Sequence, residues 1–157
     1  MRDQLSLDII KQPTDVLSWG TWGELMITFA VEGEMPESRL VSMLDRVRDA
    51  SPKRVIAASL GRYKMTSVQR KQTREAYGEL DRIATITDDP ITRGIITAFG
   101  WLGMNIKSFP WTNLREACDY IAPSGATGQA VFDSFSHIRE LHMAIVEKSN
   151  PNNKSKI

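Results

Sequence analysis

Two rhythms of apolar and polar residues run along this chain. Leu25 to Val31 is an almost continuous apolar run and Val55 to Leu60 is a second. Ile83 to Thr87 and Ile106 to Phe109 repeat the pattern on a shorter scale. Short runs of this kind are strands covered on both faces. Between them lie segments with helical spacing: Leu40, Leu44 and Val47, then Thr73, Ala76, Tyr77 and Leu80, then Leu114, Ala117, Cys118 and Ile121. Strands that alternate with helices need parallel pairing and crossovers, which predicts an α/β layered domain.

Punctuation residues set the boundaries. A short edge strand from Val16 to Trp19 is expected to end in a turn at Trp19-Gly20-Thr21-Trp22-Gly23. Gly33 breaks the first core strand, and Pro36 suits the first turn of a helix. Gly61 is expected to open a loop after the second strand. Thr66-Ser67-Val68-Gln69 has the form of a capping box, in which the Thr hydroxyl and the Gln side chain satisfy opposite ends of the first turn. Asp88-Asp89-Pro90 starts an apolar helix, Ile91 to Leu102, which Gly103 ends. After a break at Ser124-Gly125, a last helix runs from about Thr127 to Lys148, with Val131, Phe135, Ile138, Leu141 or His142, and Ile145 as its stripe.

The expected fold is therefore α/β, with a small, mostly parallel sheet of about four to five strands flanked by helices, plus an added C-terminal helix. Residues 1–22 read as an N-terminal extension carrying the edge strand, 23–122 as the α/β domain, 123–148 as the added helix and 149–157 as a polar, disordered tail.

Composition narrows the class. At 157 residues the chain suits one domain, and 41% apolar with 25% charged residues is globular. No apolar run approaches the roughly 18 to 20 residues that span a bilayer. Met1-Arg2-Asp3-Gln4 does not lead into an apolar stretch, so no signal peptide is expected. The single cysteine, Cys118, excludes an internal disulfide, and the expected location is the cytoplasm. Net charge is +1 but unevenly spread: −4 over residues 1–50, +5 over residues 51–80, and balance beyond. A neutral whole with a basic middle argues against general nucleic-acid binding and leaves room for a local acidic partner.

No phosphate-cradling glycine motif occurs, so a nucleotide enzyme of the common kinds is not expected, and no cofactor is. Asp88 and Asp89 could hold a magnesium ion, but Asp before Pro at a helix start is ordinary capping chemistry, and no metal site is expected. His137 and His142, about 140° apart around one helix, cannot share a metal. Cys118 falls on an apolar face and reads as a buried small hydrophobe. The basic stretch carries more. From Lys53 to Arg74 there are seven basic residues and no acidic one. Arg62, Arg70, Lys71 and Arg74 could converge near the start of the helix that Thr66 and Ser67 open, with Arg93 as a neighbour if both helices share one side of the sheet. Together with Asp88 and Asp89 these residues are the candidate partner-binding surface, the competing reading being a solvated helix face. Helix Ile91 to Leu102 is apolar nearly all round and reads first as core, second as a subunit contact.

The segment from Arg82 through Gly103, continuing through Ile106-Lys-Ser-Phe109 and Leu114-Arg-Glu-Ala-Cys-Asp-Tyr-Ile121, resembles the STAS superfamily, named for sulfate transporters and anti-sigma-factor antagonists, with relatives in bacteria. Those relatives likewise have an apolar strand ending in Thr-Asp, a helix, a strand ending in Phe, and a helix containing Glu-Ala. The resemblance implies a non-enzymatic regulatory or scaffolding module that acts through protein contact, sometimes binding a nucleotide or lipid. Antagonists of that superfamily carry a phosphorylatable Ser where this chain has Thr66-Ser67. The flanking Asp and Gly are absent here, Met65 and Val68 standing in their place. The leading expectation is thus an interaction module with a protein partner, and the Trp101 helix or the C-terminal helix is placed to make a homodimer contact. The alternative is a small-ligand (nucleotide or lipid) binding protein with its site at the carboxyl ends of the strands, and the least favoured reading is a metal-dependent enzyme using Asp88 or Asp89.

Overall fold

The computed structural model describes residues 16–121 and 125–149. It contains five strands, β1 (Leu17–Trp22), β2 (Leu25–Glu34), β3 (Arg54–Lys64), β4 (Arg82–Ile86) and β5 (Ile106–Phe109), and five helices, α1 (Glu37–Ala50), α2 (Ser67–Tyr77), α3 (Pro90–Trp101), α4 (Leu114–Ile121) and α5 (Gly125–Ser149). The strands form one sheet in the order β1-β2-β3-β4-β5. β1 is antiparallel to β2, and every other neighbouring pair is parallel. The α/β class and the mostly parallel sheet expected from the sequence are both present.

Side chains alternate across the sheet and build two cores. Met26, Val55 and Ile83 face the layer of α1, α2 and α3, where Leu40, Met43, Leu44, Val47 and Tyr77 meet them. Ile27, Phe29, Ile56 and Ile86 face α4 and α5, which contribute Leu114, Ala117, Cys118, Val131 and Phe135. Strands added one after another with crossovers of one hand place all connecting helices on one face, and the α4–α5 pair covers the other. Val131 and Phe135 are buried as their spacing predicts. The side chains of Ile138, Leu141, His142 and Ile145, and residues 150–157 of the expected tail, lie outside the described residues.

Three sequence expectations are corrected. The turn after the edge strand sits later than Trp19: β1 continues through Trp22, and the reversal is made by Gly23 and Glu24, with Gly23 at φ 57°. A left-handed residue at the first position of a two-residue hairpin favours Gly, so the first glycine of the run is strand and the second is turn. Arg39 of α1 then secures β1, donating to the Leu17 carbonyl at 2.7 Å and stacking on Trp19.

Gly61 does not open a loop. β3 passes through it to Lys64, and the register against β2 slips by one residue, so that Gly61 and Arg62 together oppose Glu32. Gly61 has φ 77°, as the first residue of a glycine bulge requires.

The third correction concerns α3. Only Thr92 and Ile96 are buried along it, so it is not a core helix. Ile91, Trp101 and Leu102 are 52%, 84% and 62% exposed.

Candidate functional site

The parallel strands end on one side of the sheet, where their loops enter the helices, and most of the basic residues flagged in the sequence lie there. Their partners show what is already committed. At the opposite end, where the strands begin, Lys53 pairs with Glu24 at 3.3 Å, and Arg54 donates to the Ile121 carbonyl at the end of α4. Arg82 does the same to the Tyr120 carbonyl. Both arginines serve as C-terminal caps of α4, where cations are favoured by the helix dipole.

At the start of α2 the capping box forms in full. The Gln69 N–H donates to the Thr66 hydroxyl at 3.1 Å, and the Thr66 N–H donates to Gln69 Oε1 at 2.9 Å. Gln69 Nε2 reaches on to the Met35 carbonyl, tying α2 to the end of β2. Arg70 folds back, donating to the Met65 carbonyl and to the Ser67 hydroxyl, each at 3.1 Å. Thr66, Ser67 and Arg70 thus close a local set.

At the start of α3 the two acids split their duties. Asp89 is the N-cap: its carboxylate accepts from the Thr92 N–H at 2.9 Å and from the Thr92 hydroxyl at 2.7 Å. It also receives Arg62, whose Nε and Nη2 lie 3.2 and 3.1 Å from Oδ1. The Arg62 guanidinium first, then the Thr92 hydroxyl and N–H, hold the Asp89 carboxyl down to about 2. The bulge at Gly61 is the local reason Arg62 points here, since an extra residue re-aims a side chain at a strand end. Asp88 instead accepts from the Trp111 N–H at 3.0 Å, joining the loop before α3 to the loop before α4. Trp111 in turn donates its indole N–H to the Ser59 carbonyl at 2.7 Å.

The candidate residues are therefore only partly brought together. α2 and α3 do lie on the same side of the sheet, but Arg62 joins Asp89 across to α3 instead of meeting Arg70. Arg62, Lys64 and Asp89 share an open cleft of about 580 Å³ with Glu32, Gly33 and Glu34, in which opposite charges nearly cancel. Lys71 and Arg93 are exposed, Arg74 is half-buried, and none of the three makes an ion pair or side-chain hydrogen bond with a described residue.

Asp89 is thus engaged as a cap and ion-pair partner, while Asp88 accepts the Trp111 N–H through one oxygen of an exposed carboxylate. Among the described residues no group of three or more His, Cys, Asp or Glu side chains could hold a metal. Cys118 is buried in the α4 core, and burial pushes its thiol up to about 12, far from thiolate chemistry.

The outer face of α3 is the feature the sequence pattern misassigned. Ile91, Gly94, Ala98, Trp101 and Leu102 are all exposed and fall within an arc of about 100°. The inward face is carried by Thr92, Ile95, Ile96 and Phe99. Periodicity could not separate the two faces because both are apolar; the usable signal was the pair of small residues, Gly94 and Ala98, on one of them. Comparison of the chain with protein-family models, with curated proteins and with solved structures finds no match in any of the three.

Proposed function

We propose that this protein is a cytoplasmic regulatory or scaffolding module that acts by binding another protein, with the outer face of α3 as the contact. That face carries the reading: Ile91, Ala98, Trp101 and Leu102 make an apolar stripe left open to solvent. Contiguous exposed apolar surface marks interaction sites, and Trp is the residue type that most often dominates binding energy. Gly94 and Ala98 sit between the bulky ends, leaving a shallow saddle for a partner's helix or strand. Arg93 flanks the stripe, and Lys71 and Arg74 on α2 hold charge that no described residue neutralises, which suits an acidic rim on the partner. The resemblance to STAS modules supports the same mode of action. So does the structural employment of Asp89 and of one oxygen of Asp88 as hydrogen-bond acceptors within the fold.

The test is to isolate the complexes of the protein from its own cells, alongside a Trp101→Ser/Leu102→Ser variant. A companion retained by the unaltered chain and lost from the well-folded variant supports the reading; a companion that is a second copy makes the face a homodimer contact. Equal capture by both proteins overturns it.

A further inference from the structure

The layer beneath α2 and α3 is not filled. Above Ala57 lies a cavity of about 110 Å³, bounded below by β2, β3 and β4 and above by residues that include Thr73 of α2 and Phe99 of α3. The helices cannot close it, because among the α2 side chains turned toward the sheet Gln69, Arg70 and Thr73 are polar and Ala76 is small, which leaves Tyr77 as the one large ring.

The floor is a ring of hydroxyls. Thr28 and Thr85 are the register partners of Ala57 on β2 and β4, and Ser59 of β3 and Thr87, just past the end of β4, follow two residues further along. Thr85 donates to the Lys107 carbonyl at 3.5 Å, and Thr87 accepts from the Asp89 N–H at 3.2 Å. Thr28 and Ser59 are 4% and 5% exposed, line the cavity, and have side-chain hydroxyls without a hydrogen bond to any described residue. Two buried hydroxyls left without partners call for a polar occupant.

The remaining wall has two further properties. Met35, Met43, Met65 and Met104 all contribute, and methionine repacks around irregular apolar shapes more readily than any other side chain. Arg70 is the one charged side chain among the described residues that line the cavity, and no acidic side chain lines it. Its contacts to Met65 and Ser67 use two of its five N–H donors.

We propose that this cavity binds a small organic anion: a monocarboxylate of about six to nine non-hydrogen atoms with an apolar body and a hydroxyl or carbonyl on that body. A void of comparable size holds a benzene-sized guest. The carboxylate faces Arg70, the body lies against the methionines over Ala57, and the second polar group meets Thr28 and Ser59. This site is separate from the outer face of α3 and stands whether or not that face binds a protein.

The experiment uses the full chain labelled with [13C-methyl]methionine and titrated with four probes of one length: 6-hydroxyhexanoate, hexanoate, hexan-1-ol and hexylammonium, each to about 10 mM. The expected result is saturable shifts of Met35, Met43, Met65 and Met104, with exposed Met143 unmoved. The two acids should bind at least about threefold more tightly than the alcohol, hydroxyhexanoate more tightly than hexanoate, and the ammonium not at all. Ala57→Leu, which fills the space, should abolish the shifts; Thr28→Val, which keeps the volume and removes the hydroxyl, should erase the advantage of the hydroxy acid, and it tests the site even where the larger leucine prevents folding. Arg70→Gln should remove the preference for acid over alcohol. Absence of shifts at the four cavity methionines with either acid, or equal binding of acid and ammonium, overturns the proposal and leaves the cavity a water site.

Discussion

Arg62 grips Asp89 through two nitrogens while Asp89 caps α3, so one carboxylate joins the end of β3 to the start of a helix 27 residues further on. The pair is made of an exposed arginine and a carboxylate that is mostly covered. It sets the angle at which α3 leaves the sheet, and with it the direction of the face bearing Trp101.

The charge on Asp89 makes stability depend on pH. Its carboxyl is held down to about 2 in the folded state, against 3.8 ordinarily. A depressed carboxyl stabilises fully above its unfolded value and loses that contribution as pH falls through the folded one. The melting temperature of the protein should therefore fall between about pH 4 and about pH 2. Asp89→Asn keeps a side chain able to cap and removes the charge, so its curve should be flatter over that range. Equal slopes for the two proteins would show that other groups govern the acid limb.

Gly61 should tolerate no side chain. A Cβ there would lie 2.9 Å from the Glu32 Cβ, and φ 77° is left-handed. Gly61→Ala should cost about 1–3 kcal/mol in urea unfolding. Because the bulge also aims Arg62, the variant should flatten the acid limb as Asp89→Asn does. A loss of stability with the acid limb unchanged would separate the bulge from the ion pair.

Asp88 predicts a purely structural variant. Asp88→Ala removes the acceptor of the Trp111 N–H and should destabilise by about 1–2 kcal/mol. The effect should persist at high salt, because a hydrogen bond to backbone is screened far less than a surface ion pair. Loss of an activity at unchanged stability would instead revive the reading of Asp88 as a chemical group.

The α3 face predicts the opposite combination. Trp101→Ser/Leu102→Ser should leave unfolding free energy within about 0.5 kcal/mol, since both side chains already face solvent. Partner capture should nevertheless fall below detection. A destabilisation of several kcal/mol would mean that the two side chains are covered within the folded chain.

Much of this architecture could be read from apolar runs and helix punctuation. Leu25 to Val31, Val55 to Leu60 and Ile106 to Phe109 are strands, Thr66 and Asp89 cap helices, and Gly103 follows the end of α3 at φ 95°. What escaped was relational. Nothing local in Arg62 says that it will meet Asp89, because the encounter depends on a bulge and on parallel register across two strands. The exposure of Trp101 escaped for a different reason: an apolar pattern records which side chains avoid water and is silent on whether the chain supplies a layer to cover them. The ring around Ala57 left a trace in the alternation of small and hydroxyl residues along β3 and β4, but only the register places Thr28 beside it.

The strand order has a consequence for how the molecule comes into being. Each strand pairs only with the one made just before it and the one made just after, so no later segment has to wedge between earlier ones. As the chain leaves the ribosome, the β1–β2 hairpin can close at once, and β3, β4 and β5 can each dock on an edge already waiting. During synthesis the growing edge is the unfinished side of the sheet, and β5, four residues long, ends the series with a strand too short to invite a stranger. Assembly in the order of translation is written into the topology itself.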